Sequence, residues 1–123
     1  MNVLYLSAGG VLGTLSRYFL GGIVQRWAGL GFPYGTFFVN LSGCFVIGFA
    51  ATLAGDRLHS SAPLRSFFFV GFLGAYTTFS TYMFESFKLL QEGRLVLGTA
   101  YLLGSVALGM LGLWLGVLLA RWF

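Results

Sequence analysis

The residues that could do chemistry in this 123-residue chain are concentrated at positions 74–82, which read GAYTTFSTY. Serine and threonine hydroxyls can bond back to a helix backbone, or can replace water around an ion in a dry environment. Gly71 and Gly74 weaken a helix at this point. A break there would free carbonyl groups, which protein, water or an ion must then satisfy in apolar surroundings.

Helical spacing predicts two faces for the second half of this stretch. The first face is aromatic and holds Phe79, Tyr82 and Ser86. The second face is mainly hydroxyl and holds Thr77, Ser80, Thr81 and Phe84. Back-bonding of hydroxyls to the helix together with aromatic packing explains this arrangement as well as an ion pathway does. The residues alone leave both interpretations open.

Four polar residues elsewhere are further candidates. Arg17 is a cation inside a predicted helix, where it could snorkel to the interface and could attract anions at a vestibule, two roles that are compatible. Asn40 either makes a hydrogen bond between helices or donates to a pathway. Tyr101 and Ser105 share one face of the last helix with several glycines, and packing and pathway lining explain them equally well.

The sequence contains no enzyme constellation: no HExxH, no phosphate-binding loop, no paired acids and no Cys/His cluster. We predict that the protein is not an enzyme. Asp56 and Glu92 fall in predicted loops and Glu85 near the end of the third helix. A proton-coupled transporter normally keeps a carboxylate deep in the membrane, so this placement disfavours one.

The composition predicts a single transmembrane domain over residues 1–123. Hydrophobic residues make up 58% of the chain and charged residues 8%, whereas a soluble domain carries about 25% charged residues. Uncharged runs long enough to span a bilayer predict an all-α fold of four transmembrane helices, the third broken near its middle. The predicted helices cover residues 2–25, 34–54, 65–88 and 95–120, with a polar loop at 56–61.

The charged residues at the helix ends are balanced between the two sides of the membrane. One side would carry Arg57, Arg65 and Arg121, and the other Arg26, Lys88 and Arg94. Because an excess of Lys and Arg normally fixes orientation, a balanced count predicts insertion in both orientations. Oppositely oriented copies could then pair as an antiparallel homodimer.

Three motifs carry a resemblance to a known family. They are GGVLG at 9–13 followed by Arg17-Tyr18, GTFFVNLSG at 35–43, and GFLG at 71–74 running into TTFST at 77–81. With these motifs in order, the chain resembles the Fluc (CrcB) fluoride channels over essentially its full length. The resemblance implies an antiparallel dual-topology homodimer in the inner (plasma) membrane, with two pores that export fluoride passively and give fluoride resistance.

The resemblance also implies roles for single residues. The backbone carbonyls of Gly74 and Thr77 would hold a central structural Na⁺ shared by the two subunits. Phe79 would present its ring edge to fluoride. The other implied pore residues are Asn40 as a donor, the polar track of Ser80, Thr81, Tyr101 and Ser105, and Arg17 at a vestibule. Tyr82 departs from the family, which usually has phenylalanine there, and its hydroxyl would add a donor to the pore.

Two other functions remain possible from the sequence. A small dual-topology proton-coupled exporter is the first alternative, and it would need a titrating carboxylate within a span. A structural membrane subunit that transports nothing is the second, and purified protein of that kind would give no flux.

Overall fold

The computed structural model describes residues 2–56 and 61–123. Arg57 and His59, which belong to the predicted polar loop, lie outside the described residues. Throughout those two ranges every regular element is helical and none is a strand. The predicted all-α class is therefore confirmed.

The helical elements follow one another with short connections. In chain order they are α1 (Asn2–Ala28), α2 (Tyr34–Asp56), α3 (Ala62–Arg65), a π-helical segment (Ser66–Leu73), α4 (Gly74–Tyr76), α5 (Phe79–Gln91) and α6 (Leu95–Ala120). The segments from α3 to α4 run on without a gap. Thr77 and Thr78 separate them from α5.

The helix ends follow from local backbone chemistry. The prediction ended the first helix at residue 25, but α1 continues to Ala28 and stops at Gly29, whose φ of 105° is accessible to glycine. Gly93 has a φ of 77° in the turn between α5 and α6. The third helical stretch begins at Ala62 rather than 65, because Pro63 is compatible with the first turn of a helix.

Within the described residues, three helical stretches are long and apolar enough to cross a membrane. They are Tyr34–Gly55, Ala62–Gln91 and Leu95–Ala120. The protein is thus an integral membrane protein, as its composition predicts. α1 has 27 residues but is not one of these three stretches.

Glycines allow α2 and α6 to pack backbone to backbone. A Cβ atom on Gly48 would overlap the Leu113 carbonyl, and one on Gly116 would overlap the Phe45 carbonyl. Small residues at membrane helix contacts permit this close approach. The glycine face of the last helix is therefore a packing face along this part of α6.

A second glycine contact joins α1 to the π-helical segment. Cβ atoms on Gly9 and Gly13 would overlap the carbonyl oxygens of Phe67 and Phe72. Gly71 faces α1 in return, since a Cβ there would lie 2.8 Å from the Leu6 carbonyl. The N-terminal half of the third stretch is thereby held against α1.

Two buried clusters stand on either side of the Thr77–Thr78 interruption. The first contains Val39, Leu73 and Tyr76, and the stacked ring of Phe72 leads into it. The second contains Tyr82, Leu89 and Tyr101. Packed side chains therefore fix the chain both before and after the interruption.

Candidate functional site

The centre of the candidate site is the extended backbone of Thr77 and Thr78. Thr77 has φ −89° and ψ 160°, and Thr78 has φ −149° and ψ 124°. A Cβ on Gly43 of α2 would overlap the Thr77 methyl group. Because Gly43 has no side chain, the Thr77 methyl group can pack against α2 at this position.

Asn40 satisfies the exposed backbone groups of Thr78. The Thr78 N–H donates to Asn40 Oδ1 (2.8 Å), and Asn40 Nδ2 donates to the Thr78 carbonyl (3.0 Å). Backbone groups away from water need such partners. Asn40 thus makes the bond between helices that was one of its two predicted roles, and Nδ2 retains a second proton for another acceptor.

The carbonyls of Gly74 and Thr77 are among those that lose their helical donors at this interruption. In a continuous α-helix Gly74 O would accept from the Thr78 N–H, and Thr77 O from the Thr81 N–H. The Thr78 N–H donates to Asn40 instead, and the Thr81 N–H donates to the Thr78 hydroxyl (3.4 Å). The two carbonyls that the resemblance assigns to a cation are therefore those whose helical donors are engaged elsewhere.

The first cleft lies beside this interruption and has a volume of about 400 Å³. It brings together six of the predicted site residues: Asn40, Gly74, Thr77, Phe79, Tyr82 and Ser105. None of its described lining residues is charged. Ser105 Oγ is buried, with no hydrogen-bond partner in the part of the chain that the structure describes. The cleft therefore offers hydroxyl, amide and aromatic groups without a fixed charge.

Aromatic rings continue from this cleft into the protein. The rings of Phe79 and Tyr82 meet edge-on with centroids 5.9 Å apart, and those of Tyr82 and Tyr101 meet at 5.1 Å. The Tyr82 hydroxyl donates to the Leu102 carbonyl. The extra donor expected from Tyr82 is therefore used within the protein, and its proton is not directed to the cleft.

The second cleft has a volume of about 330 Å³ and shares Thr78 with the first. Its polar lining residues are Arg17, Gln25, Thr36, Thr78 and Thr81. Gln25, Thr36 and Thr78 donate their hydrogen bonds within the protein. Arg17 and the Thr81 hydroxyl are therefore the groups of this set that could donate to an anion. Arg17 and Thr81 are the predicted site residues found here.

Two predicted residues line neither cleft. Ser80 is exposed near the start of α5. Tyr101 is 1% exposed, and its hydroxyl donates to Glu85 Oε2 (2.9 Å). Tyr101 therefore contacts the site through Glu85 and Tyr82 rather than through open space.

Glu85 is a site residue that the sequence reasoning missed. Its two carboxylate oxygens accept hydrogen bonds from the hydroxyls of Thr36 of α2 (2.7 Å) and Tyr101 of α6 (2.9 Å). Glu85 lies four residues after Thr81 and therefore on the same helix face. This spacing was the signal in the sequence that could have identified it. This half-buried carboxylate joins three helices.

Gln25 is a second residue that was missed. Its Nε2 donates to the carbonyls of Gly29 (2.6 Å) and Phe32 (2.8 Å), and its Oε1 accepts from the Gly35 N–H (3.0 Å). The exposed guanidinium of Arg94 donates a hydrogen bond to the Gly31 carbonyl in the same loop (2.6 Å). The loop between α1 and α2, and with it the start of α2, is thus fixed beside the second cleft.

The chain is similar to known proteins over nearly its whole length. Residues 4–117 match the family described as CrcB-like protein, Camphor Resistance (CrcB). A fluoride-specific ion channel FluC of Solibacter usitatus is 46% identical over 121 residues, which cover 98% of this chain and 99% of the relative. FluC of Synechococcus sp. (strain JA-2-3B'a(2-13)) is 47% identical, with 94% and 89% covered, and FluC of Chloroflexus aurantiacus (strain ATCC 29366 / DSM 635 / J-10-fl) is 42% identical, with 99% and 97% covered. The chain belongs to the CrcB family.

Proposed function

We propose that this protein is a fluoride-selective channel that lets cytoplasmic fluoride leave the cell by passive conduction. The observation that carries the proposal is the pair of clefts that meet at Thr78, one uncharged and the other containing Arg17. Relatives named fluoride-specific ion channels support the choice of ion. The protein is not an enzyme, since a channel moves its substrate unchanged.

The chemistry of the first cleft suits a small, strongly hydrated anion. Conduction needs binding that is strong enough for entry and weak enough for release. Hydroxyl and amide donors replace water, and the electropositive edge of an aromatic ring adds a weak attraction. In this proposal Phe79 and Tyr82 supply ring edges, while Asn40 donates its remaining Nδ2 proton.

The polar residues on both sides extend the same pathway. Arg17 draws anions into the second cleft, and Thr81 and Ser80 lead from it along α5. Ser105 lines the first cleft, with its hydroxyl buried, and Tyr101 supports the ring of Tyr82. None of the described residues that line the first cleft has a charged side chain, so no fixed side-chain charge would hold fluoride too tightly to leave.

A structural Na⁺ fits the interruption between α4 and α5. The donor set consists of the Gly74 and Thr77 carbonyls, whose helical donors bond Asn40 and Thr78 instead. Neutral carbonyl oxygens are suitable ligands for hard cations. When bound, the ion would neutralise these carbonyl dipoles where two subunits meet, so both subunits would contribute ligands.

An antiparallel homodimer completes the proposal. Gly74 is exposed and Phe79 is 72% exposed in the single chain, although both line the first cleft. A second subunit in the opposite orientation would cover them and give the dimer two pores. We further propose that α1 also spans the bilayer, which makes four spans, and that the dimer lies in the inner membrane in both orientations.

Fluoride efflux from proteoliposomes tests the proposal directly. Purified wild-type protein should release trapped fluoride, recorded by a fluoride electrode, when valinomycin allows K⁺ to follow. Phe79→Ile should lower throughput or selectivity over chloride three- to tenfold, because a ring-edge contact contributes roughly 1 kcal/mol.

Phe84→Ile is the matched control for this experiment, because Phe84 is exposed on the same helix and lines neither cleft. If Phe79→Ile leaves both fluoride throughput and selectivity over chloride unchanged, Phe79 has no role in the pathway. Wild-type protein that carries no fluoride would point instead to a structural subunit.

Proton-coupled export is the second candidate function, and Glu85 is the observation that favours it. This carboxylate is half-buried between three helices and bonds two hydroxyls. Coupled transport predicts that an imposed pH gradient drives fluoride movement, whereas the fluoride flux through a channel does not depend on the pH gradient. Measurements near neutral pH, where little HF is present to leak, decide between the two.

A further inference from the structure

We infer that Asn40 is a positioning residue that creates the cation site from the opposite side of the backbone. The inference rests on the proposed Na⁺ site at Gly74 and Thr77. Those two carbonyls can bind a cation only if α4 and α5 do not join in one continuous helix, and Asn40 keeps the two helices apart.

The first step follows from the geometry of the peptide bond. The Thr77 carbonyl and the Thr78 N–H belong to one planar trans peptide, so they point in opposite directions. The Thr78 N–H points at Asn40 Oδ1 across 2.8 Å. The Thr77 carbonyl is therefore directed away from Asn40 and α2.

The second step concerns the Gly74 carbonyl. Its donor in a continuous α-helix would be the same Thr78 N–H that Asn40 engages. One hydrogen bond from the side chain of Asn40 thus has two effects: it directs Thr77 O outward and it deprives Gly74 O of its helical donor.

The third step is that Asn40 also prevents the helix from closing again. Its Nδ2 bonds the Thr78 carbonyl (3.0 Å), which pairs both backbone groups of this extended residue as a neighbouring strand would. Among the described residues no group of three or more His, Cys, Asp or Glu could hold a metal ion. A cation held at Gly74 and Thr77 would depend on the two carbonyls that the Asn40 side chain directs.

The test measures linkage between Na⁺ and stability, independently of flux. Thermal unfolding of the purified protein in detergent is followed while Na⁺ replaces choline at constant ionic strength. A cation that binds only the folded protein raises Tm with its concentration, which gives an apparent Kd for Na⁺. Asn40→Leu should weaken this Na⁺ affinity at least tenfold.

Two further variants separate positioning from a general loss of packing. Ser42→Ala removes another bond between α2 and the third stretch, to the Tyr76 hydroxyl (2.8 Å). It should lower Tm and keep the Na⁺ affinity. Asn40→Asp keeps the acceptor for the Thr78 N–H, which is the bond that frees both carbonyls, and loses the Nδ2 bond to the Thr78 carbonyl. It should therefore still bind Na⁺, with a smaller loss of affinity than Asn40→Leu, and it remains informative if Asn40→Leu does not fold.

Each outcome has a defined meaning. Loss of Na⁺ affinity in Asn40→Leu, with retention in Ser42→Ala and a smaller loss in Asn40→Asp, supports the inference. Wild-type Na⁺ affinity in Asn40→Leu, or an equal loss in Asn40→Asp, overturns it. If the Tm of the wild-type protein does not change with Na⁺ concentration, the proposed Na⁺ site is wrong. The efflux assay then still tests fluoride conduction separately.

Discussion

Replacing Gln25 by methionine tests whether one side chain fixes the start of α2. The substitution keeps the length of the side chain and removes three hydrogen bonds of 2.6, 2.8 and 3.0 Å. Each such bond contributes about 0.5–1.5 kcal/mol. Because Gln25 is only half-buried and water replaces part of the loss, we expect a destabilisation of about 2 kcal/mol. A chain of this size should then lose about 6–12 °C in Tm.

The assay for Gln25→Met is thermal unfolding together with amide hydrogen exchange. Exchange should accelerate at residues 29–36, which include the Gly35 N–H, and stay unchanged in α6. Gln91→Met is the matched control, since Gln91 is exposed at the end of α5, and its Tm should stay within about 1 °C of wild type. A Gln25→Met protein that melts with the control and keeps the 29–36 amides protected would refute the reasoning.

Two other predictions concern helix contacts. Tyr82→Phe should cost about 1 kcal/mol of stability, because Leu102 loses a hydroxyl partner, yet leave fluoride throughput near wild type; a large fall in efflux would mean that the Tyr82 hydroxyl serves the ion. Gly116→Ala should destabilise the protein by about 1–3 kcal/mol, because its Cβ meets the Phe45 carbonyl. Gly104→Ala has open space and should be neutral or stabilising in the same melting experiment; equal Tm values for the two alanine variants would contradict this account of the α2–α6 contact.

The sequence predicted those properties that depend on composition and local pattern. Long apolar runs with few charges require helices in a membrane, because every backbone group must be satisfied within the segment. The three motifs identified the family, which the relatives confirm. Gly112 and Gly116 on α6 lie against backbone atoms of α2, as small residues four apart on a membrane helix lead one to expect.

Hydrogen-bond partners could not be read from the sequence, because they depend on how distant helices are placed. Asn40 and Thr78 are separated by 38 positions, and periodicity gives no information about such a pair. Tyr82 was expected to offer a donor to the pore, yet its hydroxyl bonds Leu102 on α6. Glu85 was set aside as a helix-end acid, whereas Thr36 and Tyr101 engage both of its oxygens.

The π-helical segment at Ser66–Leu73 also has no local signature. Its sequence, SFFFVGFL, is an apolar run that an α-helix accommodates equally well. Long π-helical runs are rare, and π-turns often occur near functional sites. Here the π-helical segment makes backbone contacts with Gly9 and Gly13 of α1. These are tertiary contacts, which the residue pattern along one helix does not predict.

The position of Thr78 as a shared wall of both clefts has an electrical consequence. An extended residue advances the chain by only about 3.3 Å, whereas the hydrocarbon core of a bilayer is about 30 Å thick. If the proposed pathway runs through both clefts and water fills them, the membrane potential would drop mainly beside Thr78. In that proposed pathway an anion that passes Thr78 would cross most of the applied field, equivalent to about 2.3 kcal/mol per 100 mV, so the voltage dependence of the current would be determined beside one residue.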